Sequence, residues 1–418
     1  MERHRNTEAP RHEKTVLPNG LRVLSECLPH LDSVSLGVWV EAGIEEEPPG
    51  LEGVTHFVEH MLFKGTKGRS TLQIAQAIDD IGGNVNGYTD KECLYLYAKT
   101  VEEHFESALA LLFDLLTNCT LPAEDIARER GVVLQEIQRI EDSPEESVHE
   151  QFLGAVWPDH PLGRPVMGSS ESVRRFERAA VIEHVAQLRG ANRIVVSAAG
   201  QVQHARLVDL AQRLSAGLRR VPTGPPAAAP DFHSGRRLLP RAGEQVHLCL
   251  GVPACSCTAE ERHAFALLDL IIGGGTSSRL FQEVRENRGL AYHIGSYLQC
   301  HRLTGTLVID AGTSPDNFEA LLEVVNAELD ELCANGPSPA ELVRAKTQMK
   351  VAVALAAEGS SYRMQHLALS ELYWGRHVSL AEIVEGMEAV TAEQVHAVAQ
   401  SVLAPEKRML VAIGPLAE

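Results

Sequence analysis

The segment GVTHFVEHMLFKGT, Gly53 to Thr66, places His56 and His60 four residues apart with Glu59 between them. In a helix, residues four apart share a face, one turn from each other. Both imidazoles can then address one ion, and Glu59, three after His56, lies on a neighbouring part of that face. Zinc takes nitrogen, sulfur or carboxylate ligands in a tetrahedron, and a catalytic site leaves one position for water. Two histidines supply two ligands. A glutamate beside them can accept the proton of that water and pass it to a leaving amine. Phe57, Val58, Met61 and Leu62 fit a blander reading equally well, an apolar core helix bordered by two incidental histidines.

A third ligand has to come from elsewhere. IARERGVVLQEI, Ile126 to Ile137, offers Glu129 and Glu136, seven apart and therefore two helical turns along one face. Both would lie on a helix able to pack beside the histidine helix. Taken singly, each reads as an ordinary helical glutamate.

The elements that must position these residues repeat along the chain. LLTNCTLPAEDIARERGVVLQEI in the first half matches LCANGPSPAELVRAKTQMKVAVAL in the second, with Pro122 against Pro339, a shift of 339 − 122 = 217. ANRIVVSAAG matches EKRMLVAIG, with Arg193 against Arg408, a shift of 408 − 193 = 215. Similar shifts in two places indicate a duplicated chain. Between the copies, VPTGPPAAAPDFHSGRRLLPR has four prolines within Pro222–Pro230 and reads as an extended linker. The expected organisation is a zinc-binding domain over 1–220, a linker over 221–241 and a substrate-binding domain without metal over 242–418.

Pattern supplies the class of each domain. Asn19-Gly20 between apolar runs signals a hairpin. SVSLGVWVEAG alternates as a half-buried strand does, and IGGNVNGYTDKECLYLYAKT (81–100) reads as a strand preceded by glycines. HFESALALLFDLLTN and NFEALLEVVNAELDELCAN have helical spacing. The fold class is α+β: two duplicated domains, each a mainly antiparallel sheet backed by helices.

GVTHFVEHMLFKGT, ERGVVLQEI and the segments described below resemble the insulinase/pitrilysin metallopeptidases, which carry an inverted H-x-x-E-H zinc motif and include the mitochondrial processing peptidase. The likeness covers essentially the whole chain. In that family a distal glutamate completes the site about 76 residues past the second histidine; here 136 − 60 = 76. The resemblance implies His56, His60 and Glu136 as ligands of one zinc ion per chain, Glu59 as catalytic base and Glu129 as a supporting glutamate.

The second half cannot build the same site, because the shift of 217 puts Lys346 and Val353 where Glu129 and Glu136 stand. Its own signature is IIGGGTSSRLFQEVRENRGLAYHIGS. Gly273, Gly274 and Gly275 allow close backbone approach. Arg285 and Tyr292, seven apart, could hold a peptide carbonyl or an oxyanion; by residue type alone they read as a surface charge and a core residue. The resemblance implies that Arg285 and Tyr292 bind substrate, with Gly273–Gly275 as a substrate-contacting loop. It further implies that the strand containing Asn84 and Asn86 adds substrate as an extra strand. Gly87 stands where relatives often have alanine. Glu45, Glu46 and Glu47 in AGIEEEPPGLEG precede the zinc helix and could favour basic substrate residues.

The formal charge of −18 disfavours nucleic acid and anionic membranes as partners. No stretch reaches the roughly 18–20 apolar residues that span a bilayer. MERHRNTEAPRHEK lacks the apolar run of a secretory signal, and Glu2, Glu8 and Glu13 oppose an organellar one. Eight cysteines without a CxxC pair, Cys255 and Cys257 forming a tighter CxC, suit free thiols in a reducing compartment. The expected protein is a bacterial cytoplasmic zinc metalloendopeptidase acting on unfolded peptides or presequence-like segments. Long relatives have four such domains, so this chain is expected to form a homodimer with composite active sites. The rival readings are a non-catalytic core or scaffold subunit and a hydrolase whose zinc is structural.

Overall fold

The computed structural model describes residues 11–222 and 228–416, so part of the proline-rich linker, 223–227, lies outside the described residues. Asn19-Gly20 sits in the turn joining β1 (Arg11–Val16) to β2 (Arg22–Cys27). The remaining strands of the first sheet are β3 (Ser33–Val40), β4 (Asn84–Thr89), β5 (Leu94–Val101) and β6 (Ile194–Gly200), in the order β1-β2-β6-β3-β5-β4. The second sheet uses β7 (Gly235–Pro240), β8 (Val246–Ala254), β9 (Ala291–Cys300), β10 (Gly305–Thr313) and β11 (Met409–Gly414), in the order β7-β11-β8-β10-β9. Apart from β1, the two orders are one topology. In each sheet only one pair is parallel, β2–β6 in the first and β7–β11 in the second. The duplication read from two sequence matches therefore extends to every strand pairing except β1–β2.

Three expectations change. The segment 81–100 is a hairpin rather than one strand, because Asp90–Lys91–Glu92 breaks the apolar pattern and Asp90 N–H closes the turn on Cys93 C=O at 2.8 Å. The end of the expected linker is β7, an edge strand in which Pro240 sits at the terminus, where a missing N–H is tolerated. And β3 is buried along almost its whole length rather than on one face.

The cause of that burial also alters the domain plan. The compact units are Met1–Ile137 with Pro165–Pro226 and Leu355–Val378, and Gln138–Arg164 with Ala227–Ala354 and Ser379–Glu418. A cut at the linker separates the sheets but not the helices. Helix Ser360–Trp374, from the second half of the sequence, covers the first sheet: Met364, Leu367, Ala368 and Leu372 pack on Leu24, Trp39, Val195 and Ala199. Helix Pro144–Val156, from the first half, covers the second sheet through Val148, Phe152 and Val156 against Cys249, Val308 and Val411. Each fully buried Phe or Leu contributes about 1.5–3 kcal/mol, enough to place a helix on whichever sheet offers an open apolar face. The opposite face of each sheet carries that unit's main core.

Candidate metal and catalytic site

Helix Val54–Leu62 owes its placement to apolar spacing. Val54, Phe57, Val58, Met61 and Leu62 are all buried, at positions i, i+3, i+4, i+7 and i+8. That stripe faces the first unit's core, which leaves His56, Glu59 and His60 on the remaining face. A buried carboxylate fixes the start of the helix. Glu47 accepts the N–H groups of Gly53 at 2.7 Å and Thr55 at 2.9 Å, groups that the first helical turn leaves without partners. Burial pushes the Glu47 carboxyl up to about 6 against those hydrogen bonds. Glu46 pairs with Arg193 at 3.0 Å. These two of the three glutamates before the helix are thus committed to structure rather than to a basic substrate.

Helix Ala123–Asp142 buries Ile126, Glu129, Val133 and Ile137. Glu129 therefore occupies a core position within an apolar stripe, with Glu136 one turn beyond Val133 beside the same stripe. Ligand atoms of His56, His60 and Glu136 lie within 4.8 Å of one another, the one such triad among the described residues. His60 is held from both sides: its Nε2 is 3.6 Å from Glu136 Oε2 and its Nδ1 is 3.3 Å from Glu129 Oε2. The other Glu129 oxygen takes Lys64 Nζ at 2.7 Å. His56 Nδ1 and Glu136 Oε2 are buried without a hydrogen-bond partner, a costly arrangement for polar atoms unless something else binds there. Burial, then the neighbouring His60, lowers the His56 pKa to about 4, so its imidazole is neutral and free to donate a lone pair at pH 7. Two imidazoles and a carboxylate, clustered and partly orphaned, fit a zinc ion.

Glu59 is set by strand β4. Thr89 Oγ1 donates to Glu59 Oε2 at 2.5 Å. A side chain at Gly87 would begin 2.8 Å from Glu59 Cγ, so glycine there leaves the carboxylate its room. Burial raises the Glu59 pKa and the Thr89 hydrogen bond opposes the rise. Thr89, Lys64 and Glu47 were missed at the sequence level. The alternation in NVNGYT does put Val85, Gly87 and Thr89 on one face, but nothing local says that this face meets Glu59. Asn84 and Asn86 are exposed, on the face of β4 opposite to Gly87 and Thr89. Asn86 Oδ1 accepts the Gly87 N–H at 2.9 Å.

The second unit holds the other candidates. Arg285 lies in a π-helical turn, Phe281–Asn287, a rare geometry often found at functional sites. Its guanidinium sits 4.7 Å from the Phe281 ring and 4.6 Å from the Tyr292 ring. Tyr292 is 82% exposed and so is no core residue. Gly273 is buried at the end of helix Arg262–Ile272, where a Cβ would lie 2.6 Å from Ser296 N. The chain that approaches it is β9 of the same unit. Gly274 is exposed and Gly275 half-buried.

Comparisons agree with this geometry. Residues 22–170 match the family model described as insulinase (peptidase family M16), and residues 175–349 match the one described as peptidase M16 inactive domain. A protein of Mycobacterium tuberculosis named an uncharacterized zinc protease is 40% identical over 402 residues, covering 94% of this chain and 91% of its own length. A Streptomyces coelicolor protein of the same description is 36% identical over 96% of this chain and 89% of its own. Two crystal structures share the fold, each with a TM-score of 0.91. A peptidase M16 inactive domain from Pseudomonas fluorescens is 23% identical, with 97% of this chain and 98% of that one covered. A protease from Helicobacter pylori is 20% identical, with 97% and 100% covered. A chain with this repeated topology and this two-histidine, one-glutamate cluster, matched along nearly its full length by such relatives, belongs to the insulinase family of peptidases, M16.

Proposed function

We propose that this chain is a zinc metalloendopeptidase that cleaves unfolded peptides or presequence-like segments. The observation that carries the reading is the convergence of His56, His60 and Glu136 with Glu59 on the same helix. One zinc ion per chain, held by those three side chains, would supply Lewis acidity toward water and the scissile carbonyl. Glu59 is the general base. Its Oε2 is engaged by Thr89, so Oε1 is the atom left to take the proton from the attacking water and deliver it to the leaving amine. Glu129 fixes the His60 ring by accepting at Nδ1, the usual carboxylate support of a metal-binding histidine. An intact ligand set argues against the scaffold alternative, and with three protein ligands rather than four the site is not a closed structural one.

Edge strand β4 is the surface on which an extended peptide would pair, backbone to backbone, with little demand on its sequence. Asn84 and Asn86 would flank that peptide, and Asn86 would have to release the Gly87 N–H. Arg285 and Tyr292 present a cation and a phenol suited to a peptide carbonyl, with the Gly273–Gly275 turn nearby in sequence. In a homodimer each site would join the zinc helix of one subunit to Arg285 and Tyr292 of the other. Relatives in bacteria and the free state of the eight cysteines support a bacterial cytoplasmic setting; no helix among the described residues is long and apolar enough to cross a membrane.

The experiment mixes Glu59→Gln and Arg285→Ala, each inactive or weak alone. Composite sites would return activity on mixing, because one site of a mixed dimer carries both defects and the other neither. No recovery, with subunit exchange shown to occur, rejects the composite site but not the peptidase. Absence of zinc-dependent cleavage of any unfolded peptide by the unmutated chain rejects the peptidase.

A further inference from the structure

The CxC of Cys255 and Cys257 has no part in the peptidase reading, yet the fold gives it a partner. Gly305 opens β10 and pairs with Ala254 on one side and Cys300 on the other. Strands separated by a third are ordinarily about 9–10 Å apart, too far for their thiols to meet. Here the chain leaving β8 closes over Gly305. The point where a side chain at 305 would begin lies 2.5 Å from the Cys255 carbonyl oxygen and 3.4 Å from Cys300 Cα. With no side chain in the way, the Cys255 and Cys300 thiols come within hydrogen-bonding contact. That contact favours the thiolate on Cys255 and disfavours it on Cys300. Both residues are half-buried, within reach of a small oxidant. Cys257 is close by, its N–H bonded to His301 C=O at 2.8 Å.

The segment between the two thiols, 256–299, contains helix Arg262–Ile272, Gly273–Gly275, Arg285 and most of β9 with Tyr292. We propose that Cys255 and Cys300 form a reversible dithiol–disulfide site that, oxidised by a peroxide, staples both ends of this segment. The Cys255 thiolate attacks one peroxide oxygen, the O–O bond breaks, and the second oxygen leaves as water after taking a proton. The sulfenic acid on Cys255 is then displaced by Cys300 Sγ, which gives up its proton. The S–S bond forms and the hydroxyl leaves as a second water. Two thiols lose two electrons, and one peroxide becomes two waters. A dithiol reductant reverses the reaction. The closed loop restricts the unfolded chain and so stabilises the second unit. None of this depends on the peptidase reading.

The test treats the full-length chain with stoichiometric hydrogen peroxide and then alkylates, digests and maps it without reduction. The expected result is a loss of two titratable thiols, a linked peptide joining Cys255 to Cys300, and a rise of ~5 °C in the unfolding temperature, all undone by dithiothreitol. Cys255 and Cys257 share a tryptic peptide, so the linkage is also mapped in Cys257→Ser, which should behave as the unmutated chain does. Cys255→Ser should leave no linked peptide. Both residues still alkylated after peroxide, a Cys257–Cys300 link instead, or persistence of the thiol loss in Cys255→Ser would each overturn the proposal. The mapping on the unmutated chain decides the matter even where a variant folds poorly.

Discussion

Strands β4 and β9 occupy the same edge of equivalent sheets, and on each a hydroxyl donates to a carboxylate of a packed helix. Thr89 donates to Glu59 and Ser296 to Asp269, both at 2.5 Å. Burial raises both carboxyls, Asp269 to about 6, and in both the hydroxyl opposes the rise. The carboxylate–hydroxyl contact therefore belongs to the duplicated frame, and in the first half it is turned to positioning Glu59. What the first half adds is His56 and His60 on that helix and Glu136 on a later one. In the second half the counterpart helix Arg262–Ile272 buries Leu267, Leu268, Ile271 and Ile272, and helix Pro339–Ala356 buries Leu342 and Ala345 but no carboxylate. One frame thus served two ends: a His–His–Glu cluster in one copy, and in the other an apolar seat for the segment that carries Arg285 and Tyr292.

The largest expected effect tests that division directly. Glu59→Gln should keep its zinc, measured by elemental analysis, and lose about 1,000-fold in peptide cleavage. Asp269→Asn, its structural counterpart, should leave cleavage near the unmutated rate. Comparable losses in the two variants would mean that the copies are not functionally distinct.

Metal retention should separate the two glutamates of the second site helix. Glu136→Gln removes a ligand and should abolish stoichiometric zinc. Glu129→Gln should weaken zinc binding by about 10- to 100-fold, because it only orients His60. Competition with a chromogenic chelator measures both.

A smaller effect sharpens the hydroxyl comparison. Thr89→Val should lower kcat about tenfold with KM and zinc content unchanged, since a hydrogen bond to a charged group is lost. Thr89→Ser should restore the rate. Ser296→Ala should instead cost about 1–2 kcal/mol of stability with no effect on kcat. A Thr89→Ser variant as slow as Thr89→Val would show that the hydroxyl does not position Glu59.

A further effect, on stability rather than catalysis, is a divergence in acid. His184 is buried against Thr55 with its pKa lowered from 6.5 to about 4 by burial. Between those values the unfolded chain binds a proton that the folded first unit does not, so this contribution falls by about 1.4 kcal/mol per pH unit as pH drops from 6.5 toward 4. Asp269 moves the other way. Its folded pKa of about 6 exceeds the ordinary 3.8, so its contribution is full below 3.8 and is lost as pH rises through 6. Urea titrations from pH 4 to 7 should find a shallower acid loss in His184→Gln, and in Asp269→Asn a gain in stability near pH 7. The reverse pattern would contradict the burial assigned to each group.

The sequence by itself determined whatever depends on short spacing. The i, i+3, i+4 stripe of Val54, Phe57, Val58, Met61 and Leu62 forces His56, Glu59 and His60 onto one helical face. The Glu129–Glu136 spacing does the same on a second helix, and the matched segments 215–217 residues apart announce one topology twice. The supporting role of Glu129 entered only through the family resemblance, and its burial among Ile126, Val133 and Ile137 came from the structure. Only the tertiary structure decided which half supplies the second cover of each sheet. Helices Pro144–Val156 and Ser360–Trp374 are exchanged between copies, because an apolar helix is satisfied by any open apolar face and its sequence carries no address. For the same reason Thr89 and Gly87 met Glu59, and Cys255 met Cys300 over Gly305. These are contacts between segments distant in sequence, where hydrogen-bond reach and the absence of a side chain, rather than local periodicity, determine what can touch.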